Sequence, residues 1–98
     1  MDYLVENGIS NETINSLKKK YPQNIIDLLE FNYLNVTEVI NYLKSIGITT
    51  SNIERLFFVN IDVFFKSLDS LKEKISRFEQ DKLAIVLNDN IELFNELL

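Results

Sequence analysis

The stretch Tyr42-Leu43-Lys44-Ser45-Ile46-Gly47-Ile48 repeats, at an offset of 39 residues, the pattern of Tyr3-Leu4-Val5-Glu6-Asn7-Gly8-Ile9. Each copy carries a Tyr-Leu pair, three residues, and a glycine followed by isoleucine. The same offset continues outward through Ser10/Thr49, Ile14/Ile53, Leu17/Leu56, Ile25/Phe64, Ile26/Phe65 and Leu29/Leu68. Beyond these the register slips by four, and Val36, Ile40 and Leu43 match Leu71, Ile75 and Phe78 at a spacing of 35. Leu83 to Leu98 reads as a partial third copy, with Asn90-Ile91-Glu92-Leu93-Phe94 resembling Asn24-Ile25-Ile26-Asp27-Leu28. A recurrence of this length that keeps cap, apolar and glycine positions is the mark of a helical repeat, whose units each have an apolar face too small to bury alone. The expectation is one all-α domain over residues 1–98. Within it, short helices stack as tandem repeats, an α-solenoid-like arrangement with units near 3–41, 42–82 and, in part, 83–98.

Local signals agree with helix. Asp2 to Glu6 forms a first segment that stops at Gly8, a residue suited to the left-handed position past a helix end. Ser10 caps Asn11 to Lys20, where Ile14 and Leu17 share a face and Lys18, Lys19 and Lys20 complement the dipole. Pro22 suits the first turn of a helix carrying Ile25, Ile26, Leu28 and Leu29. Asn35 with Glu38 has the form of a capping box before Val36, Val39, Ile40 and Leu43, a run that Gly47 ends. Ser51 with Glu54, and Ser70 with Glu73, read as further boxes. The first precedes Ile53, Leu56 and Phe57; the second starts a helix with Leu71, Ile75 and Phe78 inward. Asn60 or Asp62 caps a short segment with Phe64, Phe65 and Leu68. Asp81 and then Asn88 to Asn90 open the last two segments. Seven or eight short helices result.

Composition narrows function by exclusion. Cysteine, histidine and tryptophan are absent from the 98 residues, which removes thiol nucleophiles, Cys/His metal sites, disulfides and imidazole chemistry. Apolar residues make up 46% and charged residues 26%, the balance of a folded globular chain. Two glycines and one proline leave too little punctuation for a multi-strand fold. Twelve asparagines mostly precede apolar runs, where they suit helix caps. With no charged leader before an apolar stretch and no apolar run long enough for a bilayer, the expectation is a cytoplasmic protein with no membrane partner.

The pattern Tyr42 to Ile48, followed by Ile53 and Leu56 and then by Phe64, Phe65 and Leu68, resembles the repeats of the mitochondrial transcription termination factor family. Tyr21-Pro22 in the first unit matches that family's proline turn; the second unit has Asn60-Ile61 there and the third Asn88-Asp89. The resemblance implies a curved stack of three-helix units that binds nucleic acid along a basic path. This chain departs from that pattern. It has two and a half units, its net charge is −5, and the segment from Leu83 onward carries three acids and no base.

Two kinds of surface compete for function. Lys18, Lys19, Lys20, Arg55, Lys66, Lys72, Lys74 and Arg77 are the candidate phosphate contacts, with Lys74 and Arg77 placed on one helix face. Asp62, Asp69, Glu73, Glu79 and Asp81 interleave with the later ones, and a net charge of −5 disfavours polyphosphates. Phe58, Phe94, Leu97 and Leu98 are the candidate partner surface, because adjacent aromatics cannot all face inward and the tail ends on two leucines. No catalytic, cofactor-binding or metal-binding residue is assigned: Glu92 and Glu96 lack further oxygen ligands, and no phosphate loop or nucleophile elbow occurs. The expectation is a non-catalytic interaction module that binds another protein, with self-association as a further possibility. A nucleic-acid binder is the alternative. An acidic mimic of nucleic acid, built on a face including Glu92 and Glu96, is the weaker one.

Overall fold

A computed structural model describes residues 1–97; Leu98, one of the candidate partner residues, lies outside them. The described residues form eight α-helices, in order α1 Asp2–Glu6, α2 Asn11–Lys20, α3 Gln23–Phe31, α4 Tyr33–Ser45, α5 Thr50–Val59, α6 Leu68–Ile75, α7 Gln80–Asp89 and α8 Phe94–Leu97. Two 3-10 helices, Ile61–Phe65 and Ile91–Leu93, lie between α5 and α6 and between α7 and α8. Among the described residues there is no strand, and no helix is long and apolar enough to cross a membrane.

Positions paired by the 39-residue offset share local conformation. Gly8 and Gly47 take φ of 91° and 101°, the region that L side chains rarely enter. Ser10 and Thr49 cap the following helices with nearly identical backbone angles, accepting the N–H of Thr13 and Asn52 respectively. Leu4 and Leu43, Ile9 and Ile48, Ile14 and Ile53, and Leu17 and Leu56 are all buried. Each such side chain stabilises the fold by about 1.5–3 kcal/mol through removal from water.

Hydrogen bonds between helices fix their order in space. The Glu54 carboxylate accepts from Ser10 N–H, Ser10 Oγ and Thr13 Oγ1, tying the start of α2 to the first turns of α5. The Tyr21 hydroxyl donates to the Phe57 carbonyl at 2.6 Å, tying their ends. So α2 and α5 lie side by side in the same direction. The Asn88 side chain bonds Gly47, Thr49 and Asn52, and the Asn60 amide donates to Asn95 Oδ1 at 2.9 Å. The segment from Asn88 to Asn95 thus runs alongside α5 in the same sense. At the centre, Phe57 and Phe64 stack with ring centroids 3.8 Å apart.

Several local expectations are corrected. α4 begins at Tyr33, two residues before Asn35, whose amide instead donates to the carbonyls of Phe64 and Lys66. Thr49, not Ser51, caps α5, which frees Glu54 for α2. Ser67, not Ser70, caps α6, and Glu79 rather than Asp81 precedes α7. α6 ends at Ile75, so Arg77 shares no helix face with Lys74, and Phe78 points outward at 46% exposure. Of the apolar residues that α3 carries, Ile26 and Leu29 are buried and Leu28 is exposed. Asn90 does cap the 3-10 helix at Ile91, accepting from Glu92 N–H.

Candidate interaction surface

Some of the basic residues make contacts within the chain. Lys20 donates to the Phe58 carbonyl at 3.3 Å, with its ammonium 5.6 Å from the ring centroids of both Tyr21 and Phe58. Lys72 sits 5.6 Å from the Tyr42 ring, and Arg77 lies 3.8 Å from Glu73. Lys18, Lys19 and Arg55 are exposed, whereas Lys66 and Lys74 are half-buried. The hollow beside Lys18 also holds Asp27 and Glu30, and that beside Lys72 holds Glu38. Carboxylates line the same hollows as these cations, which lowers their attraction for a phosphate backbone.

The candidate partner residues separate. Phe94 is completely buried, which corrects its assignment to a surface. The turn at Asn90 folds the tail back along α5, and the first turn of α8 delivers the ring into the core with Ile91. Phe58 is half-buried beneath Lys20, and Leu97 is half-buried.

Leu97 instead helps to line a groove of about 540 Å³ at the C-terminal end of the chain. Phe78, Leu83, Val86, Leu87 and Leu93 form its apolar wall, while Arg77, Glu79, Lys82 and Glu96 contribute two charges of each sign. Val86 and Leu93 also border a second hollow with Ile85 on the other side of α7. Phe78, Ile85, Val86 and Leu93 are 46%, 71%, 48% and 39% exposed, so they join the two hollows into one apolar surface. A second exposed group, Leu28, Phe31, Tyr33 and Leu34, marks the α3–α4 corner. The hollow there mixes Phe31 and Ile26 with Lys18, Gln23, Asp27 and Glu30, a far more polar lining.

One signal in the sequence pointed to this surface. Leu83-Ala84-Ile85-Val86-Leu87 is an unbroken apolar run on a helix, and residues 100° apart cannot all face one core. Leu83, Ala84 and Leu87 take the inward side, which leaves Ile85 and Val86 outside.

Titratable groups serve the fold. Partial burial pushes the Glu54 carboxyl up, and the hydrogen bonds from Thr13 and Ser10 outweigh it, leaving the group below its ordinary value. Burial, with the Glu30 charge nearby, holds the Tyr3 phenol well above its ordinary value, and its hydroxyl donates to the Leu29 carbonyl. Among the described residues, no three Asp or Glu side chains are grouped to hold a metal ion. Comparison of the chain with protein-family models, curated proteins and solved structures finds no match.

Proposed function

We propose that this chain is a non-catalytic helical-repeat module that binds another protein through the apolar surface around α7. The observation that carries the reading is the exposure of Phe78, Ile85, Val86 and Leu93 beside a groove whose wall is mostly apolar. An apolar surface of this kind, rimmed by charges of both signs, is how a chain without reactive side chains makes a specific contact. Tandem stacking is part of the proposal. Its support is the pairing of Gly8 with Gly47, Ser10 with Thr49 and α2 with α5. The likeness of Tyr42 to Ile48 to the mitochondrial transcription termination factor repeats supports stacking rather than a ligand, since motifs of that kind report packing.

The nucleic-acid alternative has less support, because the net charge is −5 and carboxylates share the surroundings of Lys18, Lys72 and Arg77. Titration of the full chain with duplex DNA, single-stranded DNA and RNA at low salt separates the two readings. The protein-binding reading expects no saturable complex. A complex whose affinity falls steeply with added salt would establish phosphate contacts and overturn it.

A further inference from the structure

We propose that the outward face of α7 is a homodimer interface in which two copies pack antiparallel about a twofold axis passing between Ile85 and Val86. The proposal rests on the reading of this surface as a protein-binding one and names the occupant as a second copy of the chain.

The order of residues on one helix face is self-complementary. Lys82, Ile85, Val86 and Asp89 are all exposed, and at i, i+3, i+4 and i+7 they share one side of α7. The midpoint of Lys82 and Asp89 coincides with the midpoint of Ile85 and Val86. An isologous contact requires that each residue meet a partner that meets it in return. Antiparallel packing about that midpoint places Lys82 of each copy against Asp89 of the other, with the four aliphatic side chains between the two ion pairs. Within α7, Asp81 then falls in register with Asn90, while just beyond its two ends Glu79 falls in register with Glu92. The opposed helix dipoles favour the same direction. Phe78, just before α7, and Leu93, just after it, extend the apolar zone at its two ends.

Charge also selects where two copies can meet. A net charge of −5 makes identical chains repel, so contact is favoured only on a face of balanced charge. Lys82 and Asp89 cancel across such a contact, with the exposed Glu79 as an extra acid at its edge. In the single chain Lys82 lies 3.1 Å from Glu79, but both side chains are more than 70% exposed, and a pair that open is readily exchanged for one across an interface.

Sedimentation equilibrium of the full chain over a wide concentration range tests this. The expected result is a mass rising from 11.5 kDa toward twice that value. Ile85→Lys should abolish the rise, and Lys82→Asp or Asp89→Lys alone should weaken association about tenfold. The double variant Lys82→Asp/Asp89→Lys should recover affinity close to the original, and circular dichroism melts check that every variant is folded. A monomer at all concentrations, a dimer indifferent to Ile85→Lys, or a double variant no tighter than the single ones would overturn the proposal. A monomeric chain in which a benzophenone side chain replacing Ile85 cross-links a different protein would overturn the second copy alone and keep the protein-binding reading. A monomer with no adduct would overturn both.

Discussion

The side-chain amide of Asn88 donates to the Gly47 carbonyl at 2.8 Å, joining the last turn of α7 to the turn between α4 and α5. Its Oδ1 accepts from Thr49 N–H at 3.0 Å and from the Asn52 amide at 3.1 Å. One side chain therefore satisfies the Gly47 carbonyl and the Thr49 N–H, while the Gly47 and Ile48 N–H groups of the same turn bond back to Lys44 and Leu43. At the start of α2, Glu54 does the same for Ser10. Both links cross between segments distant in sequence, so they fix how helices stack rather than whether they form.

Asn88→Ala should lower unfolding free energy by about 1–3 kcal/mol, since several hydrogen bonds vanish together at a half-buried site. Urea denaturation should show an earlier midpoint with an unchanged slope. A midpoint equal to that of the parent would mean that these bonds exchange freely with water.

The two glycines should differ in their tolerance of alanine. Positive φ costs a β-carbon about 1–2 kcal/mol at either position. At Gly47 that carbon would also stand 3.3 Å from the Ala84 β-carbon, whereas at Gly8 its nearest neighbour is the flexible end of Lys44 at 3.4 Å. Gly47→Ala should therefore have the lower melting temperature of the two variants, and both should melt below the parent.

The all-helical class and much of the core were legible because apolar periodicity and the paired glycines are local properties. Leu4, Ile14, Val39, Leu43 and Ile53 are buried where their spacing placed them. The caps do not sit at Asn35, Ser51 and Ser70 for two physical reasons. Asn35 is used in a long-range bond, as is Glu54, whereas Thr49 and Ser67 stand two and three residues before Ser51 and Ser70 with the same capping chemistry. Aromatic content marks Phe94 as a candidate partner residue, yet its side chain lies in the core. That ring is buried only because the tail turns at Asn90, a tertiary event that no local spacing encodes. Ile85 and Val86 were within reach, since five adjacent apolar residues on a helix must leave some outside.

Acid should weaken the link between α2 and α5. The Glu54 carboxyl is held below its ordinary value of 4.5, so the unfolded chain binds a proton there more readily than the folded one. The stabilisation is fully present above the ordinary value and is lost as pH falls through the folded value. Glu54→Gln should be less stable than the parent at pH 7, and the gap should narrow as pH drops below 4.5. Denaturation midpoints across that range check the sign; a gap constant with pH would refute it.

Truncation should separate core from interface. Phe57→Ala removes one of the two stacked rings at the centre and should cost about 3–5 kcal/mol. Ile85→Lys touches an outward position and should leave stability within about 0.5 kcal/mol of the parent. Thermal melts at low protein concentration make the comparison.

Site-specific photo-cross-linking tests the proposed binding surface around α7 most directly. A benzophenone side chain in place of Ile85, in cells that make the protein, should form adducts heavier than the chain alone, while the same group in place of the exposed Asn41 should not. Adducts at Asn41 equal to those at Ile85, or none at Ile85, would contradict the assignment of this face as the one through which the protein acts.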